Sequence, residues 1–165
     1  MAPVTIRPAT RKDVSALGRL GALLVRTHHE FDPQRFLPAT AQTEQGYGSF
    51  LGTQLGEENI VVLVAELGGE VVGYAYAGVE GIDYMSLRGP AGVLYDIVVD
   101  PANRRLGIGR TLLDAVLKEL DRRGVPRVVL STATQNDAAQ RLFTAAGFRR
   151  TMIEMTREAR ADDET

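Results

Sequence analysis

Residues 104–109 read Arg-Arg-Leu-Gly-Ile-Gly, with Arg110 next, between the apolar run at residues 97–99 and an amphipathic stretch. Two glycines and three arginines at the mouth of a helix suit an anion. The first backbone N–H groups of a helix lack internal partners and sit at the positive end of its dipole. Glycine at positions 107 and 109 lets a phosphate approach them with no Cβ in the way. The stretch is not a P-loop, because it lacks the lysine of G-x-x-x-x-G-K-[ST]. Nor is it the dinucleotide fingerprint: Leu112 stands where a third glycine is needed, and Leu130-Ser131 where an acid would end the next strand. What stands is R-x-x-G-x-G between a strand and a helix. A tight turn flanked by solvated arginines is the competing reading.

Few other residues could do chemistry. Asp96 is a carboxylate inside the apolar run LYDIVV. Strand alternation places Tyr95 on the opposite face from Asp96, so at most one of them meets a shared ligand. Tyr74 and Tyr76 share a face one strand away. His28 and His29 end the first helix, where a cation suits the negative end of the dipole. No spacing in the chain supports a metal site. Glu80 and Asp83 lie in a loop, either to attract a cation or simply solvated.

The elements that position these residues follow from periodicity and turn chemistry. Residues 4–7 read as a strand, and TRKDV opens a helix whose stripe is Val14, Leu17, Leu20 and Leu24. Tyr47, Phe50, Leu51 and Leu55 mark a second, modest helix. The strands at 59–67 and 70–79 are joined by Gly68-Gly69, a two-residue hairpin signal. A loop at 79–92 precedes the strand 92–99. The helix at 109–123 buries Leu112, Leu113, Val116, Leu117 and Leu120 and ends at Gly124. A strand at 127–133 and a helix capped by Asn136 or Asp137 and ending at Gly147 follow. RRTMIEMTRE closes the chain as a strand. This order describes one mixed α/β sheet.

Composition sets the outer limits. The 165 residues suffice for one domain with a single core. With no cysteine, disulfides and thiolate metal sites are excluded, and a reducing cytoplasm is the expected location. No apolar run approaches a membrane span, and the first residues carry no secretory h-region. The net charge of −2 conceals an asymmetry. Residues 101–160 hold twelve Arg/Lys against six Asp/Glu, whereas residues 1–100 hold seven against twelve. The halves could suit an anionic and a cationic ligand, or be scatter on a solvated surface. Nothing is basic enough to argue for nucleic acid.

YDIVVDPANRRLGIGRTLLDAVLKELDRRG followed by VVLSTATQNDAAQRLFTAAGF resembles the GNAT superfamily of N-acetyltransferases. The resemblance is sharpest over residues 94–148 and extends in element order over nearly the whole chain. It implies a single-domain fold at residues 1–160, with an acidic tail at 161–165. The sheet implied is mixed and mostly antiparallel, of about six to seven strands with a splayed central pair, and carries about four helices. It also implies an acetyl-CoA-dependent N-acetyltransferase passing the acetyl group directly from the thioester to a primary amine, on a small molecule or a peptide N-terminus. The alternatives are another acyl-CoA donor, or a CoA-binding sensor or interaction module weakened in catalysis. The partners implied are the amine acceptor and, in such folds, a homodimer, with no nucleic acid, membrane or metal.

Carried over residue by residue, the resemblance gives Ile97, Val98 and Val99 backbone contacts to the acetyl carbonyl and pantetheine arm, with Val99 polarising the carbonyl. Arg104, Arg105, Leu106, Gly107, Ile108, Gly109 and Arg110 form the pyrophosphate loop. Asn136 matches the asparagine of N-x-x-A, and also reads as a plain N-cap. The family's usual proton-donating tyrosine is replaced by Phe143, which can pack on the cofactor arm but donate nothing. Its frequent glutamate base is replaced by Ser131. Asp96 is then the candidate base, its pKa raised by burial. His28, Tyr74, Tyr76 and Glu80 are candidates for the acceptor side.

Overall fold

The computed structural model describes residues 3–161. The acidic residues of the expected tail lie outside them. Among the described residues five strands and four α-helices follow in the order β1 (Thr5–Pro8), α1 (Val14–Phe31), α2 (Thr43–Gln54), β2 (Ile60–Leu67), β3 (Glu70–Glu80), β4 (Ala91–Val99), α3 (Ile108–Arg122), β5 (Val128–Leu130) and α4 (Asp137–Ala145). The sheet runs β1-β2-β3-β4-β5. All neighbours are antiparallel except β4 and β5, which are parallel.

Strand alternation divides the core into two layers. On one face Val61, Leu63, Ala65, Ala75, Ala77 and Leu94 meet the apolar stripe of α3 (Ile108, Leu112, Leu113, Val116, Leu120) and Phe143 of α4. On the other, Val62, Val64, Tyr74, Tyr76 and Val98 meet Leu17 and Leu20 of α1 and Leu51 of α2. Arg7 ties the entry of α1 to the sheet, donating to Asp13 at 2.8 Å and to Glu66 at 2.8 Å. Leu113 has no solvent exposure. Leu113→Ala is expected to cost about 2–5 kcal/mol, the range for a buried leucine that leaves a cavity, measured by urea unfolding.

Two local features of β4 create the site. It touches β5 at only three pairs, Gly92↔Val128, Val93↔Val129 and Leu94↔Leu130. Beyond Leu94 the strands part, leaving that edge of residues 95–99 without a neighbouring strand. The resemblance implied such a splay at the central pair. On the other edge, Tyr76 pairs with Asp96 but Ala77 with Leu94, so Tyr95 is the extra residue of a β-bulge.

The sheet has five strands, not six to seven. Residues 149–158, expected as the last strand, are exposed and belong to no sheet, and the strand expected at 127–133 shrinks to Val128–Leu130. A strand exists only when a neighbour takes its N–H and C=O groups. Among the described residues nothing lies in register beside the outer edge of β5 or beside residues 149–161. The loop expected at 79–92 spans only residues 81–90, since β3 and β4 extend into it. Among the described residues no helix is long and apolar enough to cross a membrane.

Candidate active site

Where β4 and β5 part, a cavity of about 340 Å3 opens. Ile97, Leu130, Asn136, Ala139 and Phe143 form part of its wall, and Leu24, Val25, His28, Phe36 and Leu37 another part. Tyr95 and Asp96 both line it. The expectation that at most one of them could do so is corrected by the bulge, which breaks the alternation at Tyr95.

Asp96 is held by two phenols. Tyr47 of α2 donates to its Oδ2 at 2.5 Å, and Tyr74 of β3 donates to the same oxygen at 2.9 Å. Burial pushes the Asp96 carboxyl above its ordinary value, and the two tyrosine hydrogen bonds oppose that rise. Both tyrosines are pushed up in turn, chiefly by burial and then by the Asp96 charge. Asp96 is thus an acceptor fixed in place, with its other oxygen outside these two bonds. Tyr47→Phe removes an interaction that favours the ionised form. The acid limb of any Asp96-dependent activity should therefore move to higher pH, as a full pH–rate profile would show.

Tyr47 reaches Asp96 because α1 and α2 approach closely. A Cβ at Gly18 would strike the Glu44 carbonyl oxygen, and one at Gly48 would stand 2.8 Å from the Val14 carbonyl oxygen. Gly21 leaves a slot for the Tyr47 ring, which any side chain there would strike. By spacing alone Tyr47 is one member of an apolar stripe with Phe50, Leu51 and Leu55. The available signal was the pairing of Gly18 and Gly21, three apart on α1, with Gly48 on the next helix. Gly21→Ala should push the ring out and raise the Asp96-dependent acid limb as Tyr47→Phe does, with an added loss of thermal stability.

The other acceptor-side candidates divide. His28 lines the cavity; its Nδ1 lies 2.8 Å from the Leu24 carbonyl oxygen and therefore donates, leaving Nε2 as the atom open to a ligand. Phe36 stands edge-on to the His28 ring at 5.0 Å. Tyr74 and Tyr76 are not in the wall. Tyr74 supports Asp96 from behind, whereas Tyr76 donates to Gln54 at 2.8 Å and packs on the Tyr95 ring. Glu80 is not in the wall either, because it accepts from the Tyr95 hydroxyl and from Arg88. Asp83 closes the 81–90 loop, pairing with Arg88 and accepting from the Met85 N–H. Arg35 and Leu37, which the sequence did not single out, line the cavity.

The glycine loop has the geometry of an anion cradle. Arg105 and Gly107 take φ of +68° and +74°, reversing the chain into α3. Ile108 is buried and anchors the first turn. The N–H groups of Ile108, Gly109 and Arg110 have no backbone acceptor among the described residues, and nothing lies within 4 Å of the position a Gly107 Cβ would take. Arg104, Arg105 and Leu106 are exposed, and exposed Arg110 pairs with Asp114. Val98 is buried and Val99 half-buried. Asn136 caps α4, its Oδ1 accepting from the Ala139 N–H at 3.2 Å. Phe143 packs edge-on to Phe148. It brings no hydroxyl to the wall, where Ser131 and Thr132 supply two. No group of three or more histidines and carboxylates among the described residues could hold a metal.

Comparison with known proteins agrees with this geometry. Over 96 residues the chain is 38% identical to mycothiol acetyltransferase of Thermobispora bispora, covering 56% of this chain and 31% of that one, so it spans about a third of that relative's length. It is 34% identical over 149 residues to N-alpha-acetyltransferase RimI of Mycobacterium tuberculosis, covering 90% of this chain and 80% of the relative. The fold matches an aminoglycoside N-acetyltransferase solved with CoA, at a TM-score of 0.71 and 19% identity over 98% of this chain and 97% of the other. The model of the acetyltransferase (GNAT) family matches residues 23–148, which include α2, the bulged β4, the glycine loop and the capped α4. A parted strand pair, an open helix N-terminus and a 34% identical relative thus converge, and the chain belongs to the acetyltransferase (GNAT) family.

Proposed function

We propose that the protein is an acetyl-CoA-dependent N-acetyltransferase acting on a primary amine, of a small molecule or a peptide N-terminus. The observation that carries this reading is Asp96, a carboxylate set in the wall of a largely apolar cavity at the point where β4 leaves β5. The donor residues fit an acyl-CoA. The unpaired N–H groups opening α3, with Arg104, Arg105 and Arg110 around them, suit a pyrophosphate. Residues 97–99 offer an unpaired strand edge to the pantetheine arm, and the Val99 backbone is our candidate for polarising the carbonyl. Acetyl-CoA supplies an activated thioester. The amine forms the new C–N bond as the C–S bond breaks, and its proton passes to a base.

Asp96 is that base in our reading. An alkylamine of pKa about 10.4 is almost wholly protonated near neutrality, so a carboxylate that binds the cation and takes a proton serves both needs. A thiol of pKa about 8.5 leaves tolerably as thiolate, so Phe143 in place of a proton donor does not prevent transfer. We place the protein in the cytoplasm, as its lack of cysteine suits a reducing compartment. Calorimetric titration with acetyl-CoA, CoA and ADP, followed by thiol release across an amine panel, tests the reading. Micromolar acetyl-CoA binding with turnover supports it; absence of binding overturns it. Binding without turnover would favour the sensor alternative.

A further inference from the structure

The wall of the cavity holds charge of both signs. Among the described residues that line it, Asp96 is the one carboxylate and Arg35 the one guanidinium, set in a largely apolar surround that includes Leu24, Val25, Leu37 and Leu94. Asp96 receives the amine in the reading above, which leaves Arg35 without a part. Arg35 is nevertheless built to present its side chain. It follows α1 on a turn closed by Asp32, whose carboxylate accepts from the Gln34 and Arg35 N–H groups at 3.1 and 3.2 Å and whose carbonyl accepts from the Phe36 N–H at 3.0 Å. The guanidinium lies over the Phe36 ring, its carbon 4.9 Å from the centroid. One edge of it already holds a carboxylate: Nε donates to one oxygen of Glu154 at 2.6 Å and Nη2 to the other at 2.8 Å. This is the two-bond fork by which arginine recognises a planar carboxylate.

Glu154 is weakly placed to keep that edge. It stands on residues 149–158, which belong to no strand, and its side chain is 66% exposed. An exposed ion pair shifts an equilibrium by at most about fivefold, so a carboxylate arriving in the cavity can displace it. We propose that the acceptor carries a carboxylate as well as its amine, as an amino acid does, and that Arg35 binds this carboxylate in place of Glu154. The proposal deepens the acetyltransferase reading and rests on it. With the ammonium at Asp96 and the carboxylate at Arg35, the apolar wall covers the carbon skeleton. The amine nitrogen forms the C–N bond as the C–S bond breaks, its proton goes to Asp96, the sulfur leaves as thiolate, and the carboxylate is unchanged. A polyamine or aminosugar brings only further cations, which a guanidinium repels.

The test is thiol release from acetyl-CoA with α-, β- and γ-amino acids and with their amides, which keep the amine and lose the negative charge. The quantity read is the acid-to-amide ratio of kcat/KM, compared between wild type and variant so that intrinsic differences between amines cancel. R35Q should lower that ratio at least about tenfold, as loss of a charge-assisted pair implies, and chiefly through the KM of the acid. R35K keeps the charge without the fork and should fall between. E154Q removes the competitor and should lower the KM of the acid by up to about fivefold. A ratio that R35Q leaves unchanged overturns the proposal. So does an E154Q variant whose KM for the acid rises, or turnover of other amines with no amino acid accepted. If no amine at all is turned over, the acetyltransferase reading fails and calorimetry decides the carboxylate site alone. Wild-type preference for the amino acid over its amide, lost in R35Q, then supports the site, and equal binding overturns it.

Discussion

Gly107→Glu is expected to abolish acetyl-CoA binding while leaving the fold intact. The substitution acts in two ways. At φ +74° a side chain pays a conformational penalty of order 1–3 kcal/mol, which falls on the loop. The carboxylate also occupies the open space above the unpaired N–H groups of Ile108, Gly109 and Arg110. It can accept those bonds itself and repels any phosphate. Losing two charge-assisted bonds at about 1.5–3 kcal/mol each is a loss of roughly a hundredfold to ten-thousandfold in affinity. Gly56→Glu is the control. Its φ is +84°, its added side chain also meets open space, and it lies on the loop before β2, far from α3 in sequence. It should match the strain and leave binding unchanged. Calorimetric affinity within a few-fold of wild type in the Gly107 variant would return the glycine loop to a purely structural turn.

The parts of this fold that local chemistry dictates were legible in the sequence. The α3 stripe at 112, 113, 116, 117 and 120 and its stop at Gly124, the Gly68-Gly69 hairpin and the Asn136 cap each follow from neighbouring residues. Four of those five α3 positions are fully buried and Leu117 packs partly buried against the same core, and Asn136 caps as expected. What escaped the sequence was non-local. The bulge at Tyr95 depends on how β3 and β4 register, and nothing in LYDIVV marks it. Tyr47 reaches Asp96 across 49 positions of chain, through a helix contact decided by glycines in another element. Tyr74 and Tyr76 were correctly put on one face, but the face belongs to the α1–α2 layer behind the cavity. RRTMIEMTRE has the composition of a strand, yet a strand forms only beside a neighbouring edge, and among the described residues none pairs with it.

Asp96→Asn should lower kcat by roughly a hundredfold to ten-thousandfold, the span usual for loss of a positioned general base, and it should do so without loss of stability. Asparagine keeps a carbonyl oxygen for the Tyr47 and Tyr74 hydroxyls, so the hydrogen bonds that seat residue 96 survive. It also removes a carboxyl that burial holds above its ordinary value. The sign of the linkage follows from that direction. A group bound more tightly by its proton in the folded state makes the wild type lose stability as pH rises from the ordinary carboxylate range through the raised folded value. The asparagine variant lacks that slope, so it should equal or exceed the wild type in melting temperature at neutral pH, with the gap closing in acid. The acid limb of kcat should flatten at the same time. A base that acts and a carboxyl that merely braces the strand part company here. A bracing role predicts a lower melting temperature and an unchanged pH–rate profile, whereas proton transfer predicts intact stability and a profile without its acid limb.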